Sequence, residues 1–152
     1  MEGLVKNIEE RLQALEDRAE ILDLIASYGP FADSGNGKAI ERLWAEGGTY
    51  SFDTTTLQHE DLAGLVEFDT HKDFMAAGCA HVGTAPSLRI DGDTAVATNH
   101  SLVFARRGEP WTAERVSANR WELTRTTEGW KVSKRENRLL TGSEWARQLF
   151  SN

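Results

Sequence analysis

The sequence has little cysteine, few prolines and no dense cluster of basic residues. Its single cysteine, Cys79, excludes an intrachain disulfide and any zinc site built from several cysteines of this chain. A chain without disulfides suits a reducing compartment, so we expect a cytoplasmic protein. Lysine and arginine total 17 against 24 aspartate and glutamate residues, a formal net charge of −7. This acidic balance argues against binding to nucleic acid or to an anionic membrane surface.

Long apolar runs are also missing. None approaches the roughly 18 residues that a transmembrane helix needs, and residues 1–20 are too charged for the apolar core of a secretory signal. The 152 residues suit one substantial core, and we expect a single domain over 1–152. The sequence has no glycine-rich phosphate loop, nucleophile elbow or clustered metal ligands, so we expect neither a cofactor nor a metal.

Three helices are predicted in the first half of the chain. Apolar residues spaced three and four apart predict an amphipathic helix from residue 4 to about 28, although the near-heptad spacing also permits a short coiled coil. Pro30 should end or kink this helix. Two further helices are predicted over 37–45 and 60–77, with a strand at 47–53 between them. The apolar stripe of the first helix comprises Leu4, Ile8, Leu12, Leu15, Ala19, Leu22 and Ala26.

Strand signals dominate after residue 78. Strands are predicted over 79–91, 94–106, 111–125 and 130–140, because short turn segments separate them. Such short links favour antiparallel neighbours. A capping box from Thr141 to Glu144 begins a terminal helical turn. This order of elements predicts an α+β fold, with a curved antiparallel sheet and helices on its concave side.

Four separate segments carry a further pattern. They are EDRAEILDLIASYGPFADSGN, LWAEGGTYSFD, AHVGTAPSLRIDGDTAVAT and WELTRTTEGWKVSKREN. They are distributed between residues 16 and 137, and they resemble the SnoaL-like branch of the nuclear transport factor 2-like (NTF2-like) superfamily, a resemblance that extends over nearly the whole chain. The resemblance is nearest to the dehydrating and dehydrohalogenating members, such as scytalone dehydratase, hexachlorocyclohexane dehydrochlorinase and bile-acid 7α-dehydratase. It implies a cone-shaped sheet wrapped around the N-terminal helices, as in cystatin-like folds.

The resemblance also implies a catalytic pair. In those lyases an aspartate at the end of the first long helix pairs with a histidine on the first long strand. These positions match Asp33 in FADSG and His81 in AHVGT. Tyr28 matches a tyrosine of the bile-acid enzyme, and Arg135 in WKVSKREN matches the arginine of the dehydrochlorinase. The second histidine of scytalone dehydratase has no clear match, because His100 should face outward from its predicted strand.

The same residues make chemical sense when they are read one by one. A neutral imidazole can accept a proton at neutral pH, and a carboxylate on its other nitrogen would fix its tautomer. An arginine could hold developing negative charge, and a tyrosine could donate a hydrogen bond. Structural roles stay open: a core histidine at His81, a turn residue at Asp33, a helix-face core residue at Tyr28, and an ion pair of Arg135 with Glu122 or Glu136.

A substrate cavity is expected between the sheet and the helices. Its predicted lining combines aromatic, aliphatic and small polar side chains, at least half of which would serve equally well as ordinary core: Tyr50, Phe52, Phe68, Phe74, Asn99, Ser101, Trp121 and Leu139. Two further histidines, His59 and His71, lie in or beside the third predicted helix, where histidines are commonly solvated.

These observations predict a cofactor-independent lyase, a dehydratase or dehydrohalogenase, that acts on a small hydrophobic or cyclic substrate through a His–Asp pair. Two alternatives stay open. One is an isomerase or polyketide-cyclase-like enzyme with Asp33 as its base. The other is a non-catalytic binding module similar to the β subunits of ring-hydroxylating dioxygenases.

The expected partners are the small substrate and further copies of the chain. The resemblance favours a trimer, with a dimer second. Outward-facing apolar residues on the predicted strands would otherwise be wet, and they would form the contact between copies. They are Val96, Leu102, Trp111 and Val116.

Overall fold

The computed structural model of the chain describes residues 7–151, so Leu4 of the predicted stripe lies outside the described residues. Helix α1 spans Ile8–Asp33 and begins with a capping box, in which the Asn7 side chain accepts the Glu10 N–H at 2.8 Å. None of the helices among these residues is long and apolar enough to cross a bilayer.

Pro30 does not end α1, which was one of the two effects predicted for it. The helix continues for a further turn to Asp33, and the Ser34 N–H still bonds to the Pro30 carbonyl at 3.0 Å. Proline lacks only its own N–H, so the helix loses the bond that residue 30 would make to Ala26 and keeps those that follow. Asp33 is therefore the last residue of α1 and lies beyond the predicted end of the helix near residue 28.

The remaining helices are short. Helix α2 spans Gly37–Leu43 and α3 spans Asp69–Ala77. The predicted helix 60–77 is instead divided, because a 3-10 helix over His59–Glu67 ends at Phe68, whose extended backbone caps both segments. At the end of the described chain, α4 is followed by one 3-10 turn: Glu144–Arg147 and Gln148–Phe150.

Within residues 7–151, seven strands form one curved sheet. They are β1 (Trp44–Phe52), β2 (Thr55–Gln58), β3 (Cys79–Gly83), β4 (Ser87–Asp91), β5 (Thr94–Arg106), β6 (Trp111–Thr126) and β7 (Gly129–Leu139). Their order is β2-β1-β7-β6-β5-β3, and β4 also pairs with β5. The prediction of one continuous strand over 79–91 is wrong, because residues 84–86 separate β3 from β4. Pro86 has no backbone N–H to donate to a neighbouring strand.

One pairing departs from the predicted antiparallel sheet. Strand β1 runs parallel to β7, with Tyr50 opposite Arg135, while the other neighbours are antiparallel. A parallel pair cannot be joined by a hairpin. In this chain the segment that connects β1 to β7 contains α3 and the strands β2 to β6. The predicted class is confirmed: helices and a curved, unclosed sheet make an α+β cone.

The hydrophobic core lies between α1 and one face of the sheet. The buried face of the helix includes Ile21, Leu24 and Ile25, which pack in one cluster with Trp121 and Val132 of the sheet. The other face of the sheet is covered in part by the C-terminal segment. His100 faces outward there as predicted, and its ring lies 4.8 Å from that of Phe150.

The four outward apolar residues of the strands differ in exposure. Trp111 and Val116 are exposed, at 54% and 40%, whereas Val96 and Leu102 are partly buried and Leu102 also reaches the cavity described below. The sheet therefore presents a smaller free apolar surface than its alternation predicts.

Candidate active site

Asp33 and His81 are joined by three hydrogen bonds. The ring Nδ1 of His81 lies 2.7 Å from Asp33 Oδ1, and the His81 backbone N–H lies 3.0 Å from each carboxylate oxygen. Because a carboxylate only accepts, Nδ1 carries the ring hydrogen and donates it. The remaining nitrogen, Nε2, is then left with a lone pair, which is the state a general base requires.

Gly29 permits this pairing. It lies one turn before Asp33 in α1, and a Cβ at this position would overlap the backbone carbonyl of His81. The backbones of the helix and of β3 therefore approach too closely for a side chain to fit between them, and this close approach brings the carboxylate to the strand. A residue with any side chain at position 29 would push the two elements apart.

The surroundings of His81 favour its neutral form. Burial lowers the pKa of His81 below its usual range, and the nearby His71 and Arg135 add to this effect. The hydrogen bond to Asp33 acts in the opposite direction but does not cancel it. At neutral pH the imidazole is therefore uncharged and able to take a proton.

Cys79 completes a cluster with the pair. Its Sγ lies 3.6 Å from Asp33 Oδ1, and burial followed by the Asp33 charge raises the pKa of the thiol to about 11. Asp33, Cys79 and His81 offer ligand atoms within 4.8 Å of one another, the spacing of a metal site. In this structure the thiol and His81 both donate to the Asp33 carboxylate, and the three residues form a hydrogen-bonded cluster.

His71 is a second histidine of the site, and the expectation that it is solvated is wrong. It is buried on α3, and its Nε2 lies 2.8 Å from the Ala32 carbonyl oxygen. Its ring centre is 5.4 Å from that of His81, and both rings line the same cavity. The sequence carried a signal for it, since position 71 lies three residues from both Phe68 and Phe74 and thus on their helix face.

Arg135 lies in a box of aromatic rings. Its guanidinium carbon is 4.1 Å from the ring centres of Tyr28 and Trp121 and 4.4 Å from that of Tyr50. Its Nε donates to Asn119 Oδ1 at 3.0 Å, and within residues 7–151 its buried Nη1 has no hydrogen-bond partner. Ring faces stabilise a cation but offer weak acceptors, so the guanidinium keeps donor capacity.

The ion pairs considered for Arg135 from the sequence do not form. Glu122 accepts from Arg120, while Glu136 pairs with Lys134 and Arg138. Glu122 and Glu136 lie at positions next to the Trp121–Arg135 pair of β6 and β7, so their side chains are on the opposite face of the sheet from Arg135.

Polar side chains hold the floor beneath Arg135. Asn119 Oδ1 also accepts from Asn137 Nδ2 at 3.1 Å, and the same Asn137 nitrogen lies 3.1 Å from Ser101 Oγ. Beside them, Trp121 Nε1 donates to Asn99 Oδ1 at 3.0 Å. Asn137 was missed at the sequence level, although it follows Arg135 at the two-residue period of one strand face.

These groups surround a cavity of about 810 Å³. Tyr28, His81 and Arg135 all line it, whereas Asp33 lies behind His81 and is not part of the wall. Burial raises the pKa of Tyr28 well above its usual range, so its phenol is neutral and can donate a hydrogen bond. At the solvent side of the cavity, Arg115 and Asp53 form a two-bond ion pair at 2.9 and 3.0 Å.

The predicted lining agrees with this wall at every position but one. Leu139 does not line the cavity, because the wall formed by β7 ends at Asn137. The other predicted members are on the wall: Tyr50, Phe52, Phe68, Phe74, Asn99, Ser101 and Trp121.

Comparison with known proteins identifies the family. A model of the SnoaL-like domain matches residues 13–136, which include both members of the pair. The chain belongs to the SnoaL-like family. A search of curated proteins finds no match.

Solved structures support the assignment. This SnoaL-like chain is 44% identical to an NTF2-like protein with a cystatin-like fold from Novosphingobium aromaticivorans, with a TM-score of 0.94 and coverage of 99% of this chain and 100% of that one. Hexachlorocyclohexane dehydrochlorinase LinA-type3 from Novosphingobium barchaimii is 20% identical, with a TM-score of 0.73 over 86% and 90% of the two chains.

A third structure extends the same likeness. A provisionally assigned dehydratase of the NTF2-like family from Streptomyces avermitilis is 13% identical, with a TM-score of 0.64 over 83% and 97% of the two chains. At this identity, as for the dehydrochlorinase, the likeness concerns the fold. The SnoaL-like chain thus has a fold that it shares with proteins of several activities.

Proposed function

We propose that this SnoaL-like protein is a cofactor-independent lyase that removes water or a halide from a small hydrophobic or cyclic substrate. The observation that carries the proposal is the geometry of His81. Its Nδ1 is bonded to Asp33, its pKa is lowered by burial, and its ring lines a largely aromatic cavity. The dehydrochlorinase named above shares the fold and gives one candidate leaving group, a halide.

The proposed step is a β-elimination. His81 Nε2 takes a proton from a substrate carbon, the C–H electron pair forms the new double bond, and the bond from the adjacent carbon to its leaving group breaks. Asp33 holds the tautomer and stabilises the imidazolium that forms. A halide departs as an anion, whereas a hydroxyl departs as water after it receives a proton from the imidazolium.

Arg135 and Tyr28 would act on the charge that develops. The guanidinium can donate to a leaving group or to an enolate oxygen, and in this buried site such a bond is stronger than in water. The phenol of Tyr28 is neutral and can donate in the same region. Both groups are preorganised, because the aromatic box and the floor amides hold them before a substrate binds.

The position of Asp33 speaks against the alternative in which it is the base. Both of its oxygens accept hydrogen bonds from His81, and it does not line the cavity. A substrate carbon would reach the imidazole first. This favours an elimination with a histidine base over an isomerase or cyclase with an aspartate base.

The test is a comparison of His81→Gln with the matched variant His100→Gln. Two probes are used: hexachlorocyclohexane, with chloride release measured, and a cyclic β-hydroxyketone, with enone absorbance measured. Removal of a general base should lower turnover about 10²–10⁴-fold. The His100 variant should keep wild-type turnover, because His100 faces away from the cavity against Phe150.

Circular dichroism checks that both variants fold. If folded His81→Gln retains near-full turnover on a probe that the wild type converts, His81 is not the base. Asp33 would then become the base, and the isomerase or cyclase alternative would replace the lyase.

A further inference from the structure

Helix α1 carries two apolar faces on opposite sides. One face packs into the core through Ile21, Leu24 and Tyr28, and Asp17 is also buried on it. At about 100° of rotation per residue, the centre of the other face lies half a turn away. That face consists of Ile8, Leu12, Leu15, Ala19, Leu22 and Ala26, which we call the free stripe.

The N-terminal half of the free stripe, which carries large apolar side chains, is exposed to solvent. Ile8, Leu12 and Leu15 are 77%, 54% and 66% exposed, and residues 8–16 as a whole are solvent-exposed. These two and a half turns precede the first buried residue of the helix, Asp17, so the described part of this chain gives them no core contact. Large side chains in a continuous exposed row mark an interaction site.

The spacing of the free stripe is that of a coiled-coil seam. Its six members are separated by four, three, four, three and four residues, which is the alternation of a heptad repeat. Positions 8, 15 and 22 are Ile, Leu and Leu, and positions 12, 19 and 26 are Leu, Ala and Ala. The row spans less than a quarter of the helix circumference, and such a narrow stripe suits one partner helix better than a broad surface.

Charges on the two flanks specify the direction of that partner. One flank is acidic, with Glu9, Glu16 and Asp23, and the other is basic, with Arg11 and Arg18. In a parallel pair of identical helices each flank meets the opposite flank of the other helix, so Arg11 faces Glu16 and Arg18 faces Asp23. In an antiparallel pair, acid would face acid and base would face base.

We propose that the occupant of the free stripe is a second copy of this chain, which packs its own α1 in parallel to form a two-helix seam. Along its exposed N-terminal turns, residues 8–16, the domain lies on the far side of each helix, so the two bodies are held outside that part of the seam. Leu22 and Ala26 belong both to the stripe and to the cavity wall. The seam therefore runs to the edge of the cavity and shields part of its rim.

The proposal favours two copies over the trimer that the resemblance suggested, and it locates the contact on α1 and not on the strands. One double variant and one single variant separate these possibilities. Leu12→Glu with Leu15→Glu removes the apolar seam, and the matched control Val116→Glu adds a charge to the exposed sheet surface. Sedimentation equilibrium over a wide range of protein concentration gives the mass of each.

The wild type and Val116→Glu should sediment at twice the chain mass, and the Leu12/Leu15 variant should sediment at the chain mass with unchanged circular dichroism. A wild-type monomer, a wild-type trimer, a dimer that survives the Leu12/Leu15 change, or a dimer lost only in Val116→Glu would each overturn the proposal. Association of the wild type with lipid vesicles in place of a dimer would overturn it as well.

Charge reversal tests the direction of the seam. Arg11→Glu with Arg18→Glu makes both flanks acidic, and Glu9→Arg with Glu16→Arg makes both largely basic. Each variant alone should be monomeric, and an equimolar mixture should form a one-to-one dimer. A Leu12→Cys variant should form an interchain disulfide efficiently, because equivalent positions meet only in a parallel pair. Absence of that cross-link in a dimeric variant would overturn the parallel arrangement.

Discussion

Asp33 holds His81 with both of its carboxylate oxygens, since one bonds the ring of His81 and both accept its backbone N–H. The ring orientation and the strand position are thus fixed by one side chain. Such double attachment leaves the imidazole little freedom to turn away from the cavity, which preorganises it for proton transfer.

Replacing Asp33 by Asn should preserve the shape and lose the function. The amide would present its NH₂ group to Nδ1 or lose one of the backbone bonds, and the ring hydrogen would move to Nε2, which could no longer accept a proton. We expect turnover to fall by about 10²-fold or more. Nitrogen NMR of His81 reports the tautomer directly, and an unchanged Nδ1-protonated ring with unchanged turnover would contradict the role of Asp33.

The pH profile should depend on His71. His81 must be neutral to act, and its pKa lies below the usual value, so activity should be level through neutral pH and fall only in acid. The electrostatic effect of the neighbouring His71 lowers the pKa of His81 further. The variant His71→Gln removes this effect, so the pKa of His81 should rise and the acid limb should move to higher pH.

Turnover measured across pH 4–8 checks this shift, with His100→Gln as the control that should leave the limb in place. A limb that stays fixed or moves to lower pH in His71→Gln would show that His71 does not influence the base. A purely structural role for His71 would lower turnover at all pH values without moving the limb.

At the scale of the elements, the approach of α1 to β3 decides whether the pair can form. Gly29→Ala should place a methyl group against the His81 carbonyl, destabilise the fold by about 1–3 kcal/mol and separate Asp33 from His81. Turnover should therefore fall. The matched control is Gly64→Ala, where an added Cβ meets nothing within 4 Å.

Thermal unfolding and turnover measure the two effects. The loss of turnover in Gly29→Ala should exceed what unfolding explains at the assay temperature. Equal behaviour of the two alanine variants would mean that the helix and strand can adjust, and that the close approach is not required.

Element positions and the site were predictable from the sequence to different degrees. Periodicity located α1 and the long strands. The resemblance to the SnoaL-like lyases selected Tyr28, Asp33, His81 and Arg135, which lie on the cavity or directly behind it. Residues whose position depends on strand pairing or on helix packing were harder to predict from the sequence. The parallel partner of β1 leaves no local signal, and His71 reaches the site only because α3 is turned against the end of α1.

For the molecule as a whole, Asp17 joins α1 to the far end of the sheet. It accepts two bonds from Arg125 at 2.7 Å and one from Trp130 Nε1 at 3.1 Å. The bond to Arg125 holds the pKa of the Asp17 carboxyl well below its usual range, with Trp130 and Gln13 acting in the same direction against the effect of burial.

Asp17→Asn should lower the free energy of unfolding by about 1.5–3 kcal/mol at neutral pH, because it removes the buried one of the two carboxylates that pair with Arg125 and leaves only the exposed Asp93. In the wild type this stability is present above the unfolded-state pKa near ~3.9 and is lost as the pH falls further. The difference between the two proteins should therefore narrow in acid. Urea titrations at several pH values measure it, with Asp93→Asn, whose side chain is 81% exposed, as a control of small effect.

The parallel pairing of β1 with β7 also has a consequence for synthesis. Strand β1 ends at Phe52, yet β7, against which it lies, begins only at Gly129. While the chain emerges from the ribosome, Tyr50 and Phe52 can pair with β2, but their second strand partner is made only after residues 53–128. The aromatic half of the cavity is thus open in every nascent intermediate, and such exposed apolar surface is what chaperones bind. Closure of the cavity is tied to completion of the sheet, so a chain that stops before β7 has no enclosed site.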